Sequence, residues 1–293
     1  MYELIQVGAH SYYIQSPAKI GLYQLNEREV CLIDSGNDKE AGRKVLRLLE
    51  AQNWHLSAII NTHSNADHIG GNHYLSEKTG CPIFASGIEQ AFTCHPILEP
   101  AFLYGGYPCQ ELRHKFLLAK PSPALPITDS AFPEALEILP LAGHFFDMIG
   151  LRTPDQVVYL ADCLSSEATL AKYRISFIYD VAQYLATLTS IEQLEASLFI
   201  PAHAEPTADI RPLAQRNREQ VLEIIDRILL YCHTPHTFEE VLTYLFTTYQ
   251  LTMDFAQYAL VGSTVRSYLS YLYDQKRLQA DFDHNRLLWS SLV

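Results

Sequence analysis

The sequence predicts an α/β fold with a helical C-terminal extension, and three observations predict it. Short apolar or aromatic runs alternate with segments of helical spacing through the first two thirds of the chain. Several of those runs end in an aspartate or a histidine. From about residue 209 the pattern turns to long amphipathic helical segments.

The opening stretches "SYYIQS", "IGLYQLN" and "EVCLIDSG" are β-branched or aromatic and bounded by turn residues, so they read as strands. "KEAGRKVLRLLEAQNW" places Ala41, Val45, Leu48 and Leu49 on one helical face. "LSAIINTH" is a short apolar run and reads as a buried strand. "HIGGNHYLSEKTG" predicts one helix stopped by Gly80, and "CPIFAS" the next strand. Residues 88–130 break this rhythm with prolines, aromatics and short helical pieces. We read them as an insertion lying over a site, the alternative being a surface excursion packed on the core. Strands resume at "LEILPLAGH" and "QVVYLADCL", followed by a helical segment near 179–195 and the strand "ASLFIPAH".

The expected division is a first domain over 1–208 and a helical, winged-helix-like region over 209–293. The second part holds "LAQRNREQVLEIIDRILLYC", then "TFEEVLTYLFTTY" with Thr237 as N-cap, then a third helix with Asp254 as cap. "LQADFDHNRLLWSSL" reads as a hairpin around Asp-His-Asn. From 213 onward there are seven Lys and Arg against nine Asp and Glu, a balance that suits packing against the first domain or a second copy better than nucleic acid.

Of the 293 residues, 48% are hydrophobic and 18% charged, enough for a sizeable core. The net charge of −12 argues against nucleic acid as a partner, because phosphate contacts need clustered Lys and Arg. No apolar run is long enough for a membrane span. The N-terminus lacks the basic-then-apolar pattern of a signal peptide. Six cysteines without a C-x-x-C pair read as free thiols, and the expected location is cytoplasmic.

The chemistry lies where the strands end. Asp34 closes "CLIDSG"; His63, Asp67 and His68 follow "AIINT"; His144 follows "EILPLAG"; Asp162 closes "VVYLA"; His203 follows "LFIPA". Singly, such residues are turn formers or hydrogen-bonded structural groups. Jointly, five strand ends carrying imidazoles and carboxylates suit a divalent metal at one sheet edge: zinc, with iron or manganese as alternatives.

In "HSNADH", "AGH", "LAD" and "PAH", with Asp34 before them, the chain resembles the metallo-β-lactamase-fold superfamily over about its first 210 residues. The resemblance implies an αββα sandwich with one or two metal ions at its edge. It implies one metal position from His63, His144 and the residue at 65, and another from Asp67, His68 and His203. Asp162 would bridge them, and Asp34 would orient the motif loop from behind. The tail is similar to that of one hydrolase branch of the superfamily. Asn65 departs from the pattern, standing where a histidine is usual and offering only a carbonyl oxygen. The two positions are therefore expected to be unequal. "FFDMIG" after His144 is a second departure. It would form an apolar wall from Phe145 and Phe146, with Asp147 either an extra polar group near the metals or a turn carboxylate or helix cap. Glu205 is a lesser candidate, His73 reads as structural, and His10, His95 and His114 carry no assignment.

The expected activity is metal-dependent hydrolysis of a small-molecule ester, thioester, lactone, amide or phosphodiester, with Asp67 and Asp162 as the catalytic carboxylates. Phe102, Tyr104, Tyr107 and Phe116 suggest an aromatic substrate surface, or else packing of the insertion. The alternatives are a mononuclear iron enzyme acting on oxygen or sulfur compounds, a nuclease using the C-terminal region, and a binding module with a degraded site.

Overall fold

Strands that are apolar on both faces must be covered on both faces. The computed structural model, which describes residues 2–292, covers them with two facing sheets and helices on either side. The first sheet has seven strands in chain order. Strands β1 (Glu3–Gln6), β2 (Ser11–Gln15), β3 (Ile20–Gln24) and β4 (Glu29–Ile33) form an antiparallel meander. Strands β5 (His55–Ile60), β6 (Ile83–Ala85) and β7 (Leu125–Pro126) extend it in parallel. The crossovers hold α1 (Lys39–Ala51), α2 (Ala66–Ile69), α3 (Asn72–Thr79), α4 (Glu89–Cys94) and α5 (Leu98–Tyr104). The second sheet runs β11-β10-β9-β8, from β8 (Glu137–Pro140), β9 (Ile149–Arg152), β10 (Val157–Ser165) and β11 (Leu198–His203). Helices α6 (Glu167–Tyr173) and α7 (Val181–Ile191) lie between β10 and β11. The chain ends with α8 (Arg211–Tyr231), α9 (Phe238–Tyr249), α10 (Phe255–Asp274) and the hairpin of β12 (Leu278–Asp283) and β13 (Arg286–Ser291).

The period-two geometry of a strand sorts neighbours into different layers. Cys31 and Ile33 join Ala58, Ile60, Val157, Tyr159 and Ile200 between the sheets. Val30, Leu32 and Ile59 face the opposite way, onto Val45 and Leu49 of α1. Val158, Leu160 and Phe199 face α7, α8, α9 and α10. Burying one such side chain contributes about 1.5–3 kcal/mol. The C-terminal helices thus share one core with the second sheet, which is the packing expected from their acidic, apolar-studded composition.

Thr237 caps α9 in a reciprocal capping box with Glu240, and the Asp254 side chain caps α10. The hairpin turns through His284 and Asn285, both at positive φ. The segment after His68 is two helices rather than one. A Cβ on Gly70 would lie 2.3 Å from the Asn37 carbonyl carbon, and one on Gly71 2.3 Å from the Ser35 oxygen. Both glycines are needed for close backbone approach, and the helix breaks there. Strands β1 and β9 and helix α6 were not legible in the sequence. All six cysteines are free, and four are buried. Among the described residues no helix is long and apolar enough to cross a membrane.

The insertion packs on the body. Leu103, Leu112 and Leu117 cluster with Ala259 of α10, and Phe102 lies against Phe145, Phe146 and Tyr179. Tyr104, Tyr107 and Phe116 stay exposed.

Candidate metal centre

The strand ends converge. Ligand-type atoms of Asp67, His68, Asp162 and His203 lie within 4.8 Å of one another, and so do those of His63, His144 and Asp162. Asp162 belongs to both groups. It reaches them through an irregularity in β10. The β10–β11 register shifts on either side of Ala161, which itself sits at φ 48. A shift of this kind re-aims a side chain, and a left-handed alanine costs about 1–2 kcal/mol.

Partners behind the imidazoles fix which nitrogen faces the cluster. Asp34, at φ 67, accepts from Thr62 N–H and Thr62 Oγ1, each at 2.8 Å, and from His68 Nδ1 at 2.8 Å. Because Thr62 Oγ1 donates to Asp34, it can only accept from His63 Nδ1, 3.0 Å away. His144 Nδ1 donates to the Phe177 carbonyl at 3.0 Å. In His63, His68 and His144 the Nε2 atom is therefore the one turned inward.

Inside the cluster His203 Nε2 is 3.2 Å from Asp162 Oδ2 and 3.4 Å from Asp67 Oδ2. His68 Nε2 approaches Asp162 Oδ1 to 3.0 Å without hydrogen-bond geometry, and both atoms are buried without a partner, as is His63 Nε2. Asn65 Oδ1 faces His144 Nε2 at 3.3 Å. With the His144 proton on Nδ1, these are two acceptors facing each other. Two donors at about 2.0–2.1 Å from a tetrahedral zinc would stand about 3.3 Å apart. Buried, unpartnered donor atoms aimed at common points fit divalent metal ions.

The charges agree. Burial, then the nearby His68, hold His63 well below the usual imidazole range, and burial also lowers His144. Burial opposes the charged form of His68, yet Asp162, Asp67 and Asp34 outweigh it and raise it well above that range. Asp162 raises His203 to about 10. Burial raises Asp67, but His68 and His203 outweigh it and bring it down to about 2. The raised His203 contributes stability to the metal-free protein below about pH 6.5, lost as pH rises through about 10. The depressed Asp67 contributes above about pH 4, lost as pH falls through about 2. His203, raised to about 10, must lose its proton when a cation enters. Zinc binding at pH 7 is expected to release about one proton or more, read by calorimetry in buffers of different ionisation enthalpy. Release of none would contradict this donor set.

Asp147 does not join the cluster. Its Oδ2 accepts from Ile88 N–H at 2.8 Å, so from a distant segment it caps the start of α4. Glu205 is exposed and also lies outside. His73 Nδ1 is 3.2 Å from the Pro121 carbonyl oxygen, and neither it nor His10, His95 or His114 is in either group.

Sequence reasoning missed the groups that hold the motif loop. Glu89 accepts from Ser64 N–H, Ser64 Oγ and Asp147 N–H. Glu99 Oε1 accepts from Asn65 Nδ2 at 2.7 Å. Burial raises the Glu89 carboxyl to about 7 and that of Glu99 well above the usual range. The buried Lys19 Nζ donates to the Ala204 carbonyl at 2.6 Å, just after His203. Gly143 precedes His144 at φ +124, where a Cβ would lie 2.3 Å from Tyr184 N. Gly143→Ala is expected to destabilise the fold by about 2–4 kcal/mol, read by chemical denaturation.

A cavity of about 620 Å³ opens beside the cluster. His144, Asp162 and His203 form its floor, and Phe177, Leu260 and Val261 are among its apolar walls. Lys172, Thr169 and Gln257 supply polar groups. No residue of 88–130 lines it, so the insertion braces the motif loop instead of roofing this cavity.

The profile of the family described as "Metallo-beta-lactamase superfamily" matches residues 14–203. Hydroxyacylglutathione hydrolases are locally similar: that of Methylococcus capsulatus is 41% identical over 46 residues, 16% of this chain and 18% of that protein. That of Pelagibacter ubique is 43% identical over 53 residues, 18% and 20% of the two. The chain thus spans about a fifth of the length of these curated relatives. Among solved structures, a beta-lactamase domain protein from Burkholderia ambifaria superposes with a TM-score of 0.77 at 15% identity, covering 99% of this chain and 94% of that one. A metallo-beta-lactamase family protein from Thermus thermophilus gives 0.70 at 17%, covering 99% and 98%. At such identities the two structures bear on the fold alone, and they include the C-terminal helices.

Proposed function

Because this chain belongs to the metallo-beta-lactamase superfamily, we propose that it is a metal-dependent hydrolase of small molecules, cleaving an ester or thioester. The observation that carries this is the pair of donor groups joined at Asp162, with their buried, unpartnered Nε2 and carboxylate atoms. In this reading Asp67, His68 and His203 hold one ion, His63 and His144 with Asn65 hold a second, weaker one, and Asp162 is shared. Zinc suits the nitrogen-rich set best. A bound ion of this kind supplies the Lewis acidity that makes water a nucleophile near neutral pH and polarises the substrate oxygen.

The chain's own groups do the rest. Asp67 is 35% exposed in its side chain, so its carboxylate can accept a hydrogen bond from an attacking water and orient it. Asp162 is pinned between His68 and His203 and holds charge rather than carrying protons. The cavity walls fix the substrate's apolar part, leaving its labile bond toward His144 and His203. The local likeness to hydroxyacylglutathione hydrolases supports a thioester or ester among the candidate bonds. We take residues 1–208 as the catalytic unit and 209–293 as a helical unit that completes the cavity wall.

The test is purification without added metal, elemental analysis, and turnover on ester, thioester, lactone and phosphodiester panels before and after chelation. Hydrolysis of a thioester or ester that stops on chelation and returns with zinc is expected. Near-stoichiometric iron without hydrolysis of any panel member would sink the proposal.

A further inference from the structure

Asn65 begins α2 at its N-cap, where an asparagine side chain ordinarily accepts a backbone hydrogen bond from the first turn. Here it makes no such bond. Its two ends are used elsewhere: Nδ2 donates to Glu99 Oε1 at 2.7 Å, and Oδ1 faces His144 Nε2 at 3.3 Å. Glu99 comes from α5 in the insertion, and it is 3% exposed. Its other oxygen, Oε2, is buried with no hydrogen-bond partner. Glu99 is in neither donor group, so it is not itself a ligand in this arrangement.

The orientation of an amide is decided by its hydrogen bonds. An oxygen at Glu99 Oε1 can only be met by the NH₂ end of Asn65 unless that oxygen carries the proton. With Oε2 free to carry any proton, Oε1 accepts in either protonation state of the carboxyl. The NH₂ end is thereby committed to Glu99, and the carbonyl end turns toward His144, a member of the group with His63 and Asp162.

We propose that Glu99 is a positioning residue that locks the Asn65 amide so that its carbonyl oxygen serves as a donor to the His63–His144–Asp162 position. This rests on the metal reading above and explains how that position can work without the usual histidine. The insertion then has a definite task, since it delivers the one group that makes the substituted motif competent.

The test titrates metal-free protein with zinc against a chromophoric chelator, and with cobalt followed by its visible absorption. The parent should take up two unequal equivalents. Glu99→Leu should weaken the weaker one by about 10–100-fold while leaving the tighter one unchanged. Glu99→Gln, which keeps an acceptor for Asn65 Nδ2, should stay close to the parent. Asn65→Ala should show the same loss as Glu99→Leu, and the double variant no more than either alone. An unchanged weaker equivalent in Glu99→Leu, or losses that add in the double variant, would overturn the proposal. So would a parent that binds only one equivalent. A parent lacking even the tight equivalent would remove the metal reading and this inference with it, so the two failures are distinguishable.

If Glu99→Leu does not fold, a reversed pair decides. Asn65→Asp combined with Glu99→Gln keeps a hydrogen bond, now running from position 99 to position 65, whereas Asn65→Asp combined with Glu99→Met, an unbranched side chain of similar length, has none. The first pair should bind the weaker equivalent at least about tenfold tighter than the second. Equal affinities in the two would refute the role given to Glu99.

Discussion

Asp162→Asn is expected to lower kcat/KM on the best panel substrate by about 10³-fold or more, equivalent to about 4 kcal/mol of transition-state stabilisation. The reason is its double membership: both donor groups contain Asp162, so one substitution strikes both metal positions. The amide keeps the size of the side chain but removes its charge, and it replaces one acceptor oxygen by an NH₂ facing His68 or His203. Bound metal is expected to fall below one equivalent, and the proton release on zinc binding to shrink, because Asp162 is the largest influence raising His203. Elemental analysis and steady-state kinetics check this together. Parent-like metal content with activity within about tenfold would mean that Asp162 is not the shared ligand.

Asp34→Ala is the second large effect, and it acts on folding as much as on metal. Asp34 is 3% exposed and accepts three hydrogen bonds, from Thr62 N–H, Thr62 Oγ1 and His68 Nδ1. Each donor left unsatisfied in the interior costs about 1–3 kcal/mol. The backbone at φ 67 also suits aspartate better than alanine. A net destabilisation of about 3–5 kcal/mol is expected. The freed His63 and His68 rings should lower metal affinity by about 10–100-fold. Asp34→Asn retains an acceptor oxygen and tolerates the left-handed backbone, so it should fall between the alanine variant and the parent. Urea denaturation of metal-free and zinc-loaded protein separates the two contributions. Loss of less than about 1 kcal/mol in the alanine variant would show that the loop does not depend on this carboxylate.

Much of this was readable from residue order because strands and their ends obey local rules. Cys31 and Ile33 against Val30 and Leu32, the αL Gly80, the Thr237 capping box and the His284–Asn285 turn all follow from short-range chemistry. The donor residues were legible because each follows a recognisable apolar run. The groups that brace them were not. Glu89 and Glu99 lie in a segment without clear periodicity, and a buried acid looks the same in sequence as a solvated one. The only signal was a carboxylate embedded among apolar residues, in "GIEQAF" and in "PILEPAF". Likewise the break between α2 and α3 comes from the backbone of residues 35–37 crowding Gly70 and Gly71, a contact between segments far apart in the chain. That the insertion meets the motif loop and does not line the cavity beside His144 was hidden for a similar reason. Its aromatic residues announced burial or exposure but not the direction from which it approaches the site.

Helix α10 gives the fold an unexpected dependence. Its Thr264 hydroxyl accepts from Ile178 N–H and its Ser267 hydroxyl donates to the Tyr179 carbonyl. The segment so pinned carries Phe177, whose carbonyl fixes the His144 tautomer, and the same helix presents Leu260 and Val261 to the cavity. A part of the chain far downstream of the last strand-end histidine therefore supports the aim of one imidazole and shapes the cavity beside it. Separate positions of one helix thus serve the two ends: Thr264 and Ser267 hold the segment behind His144, while Leu260 and Val261 line the cavity beside it.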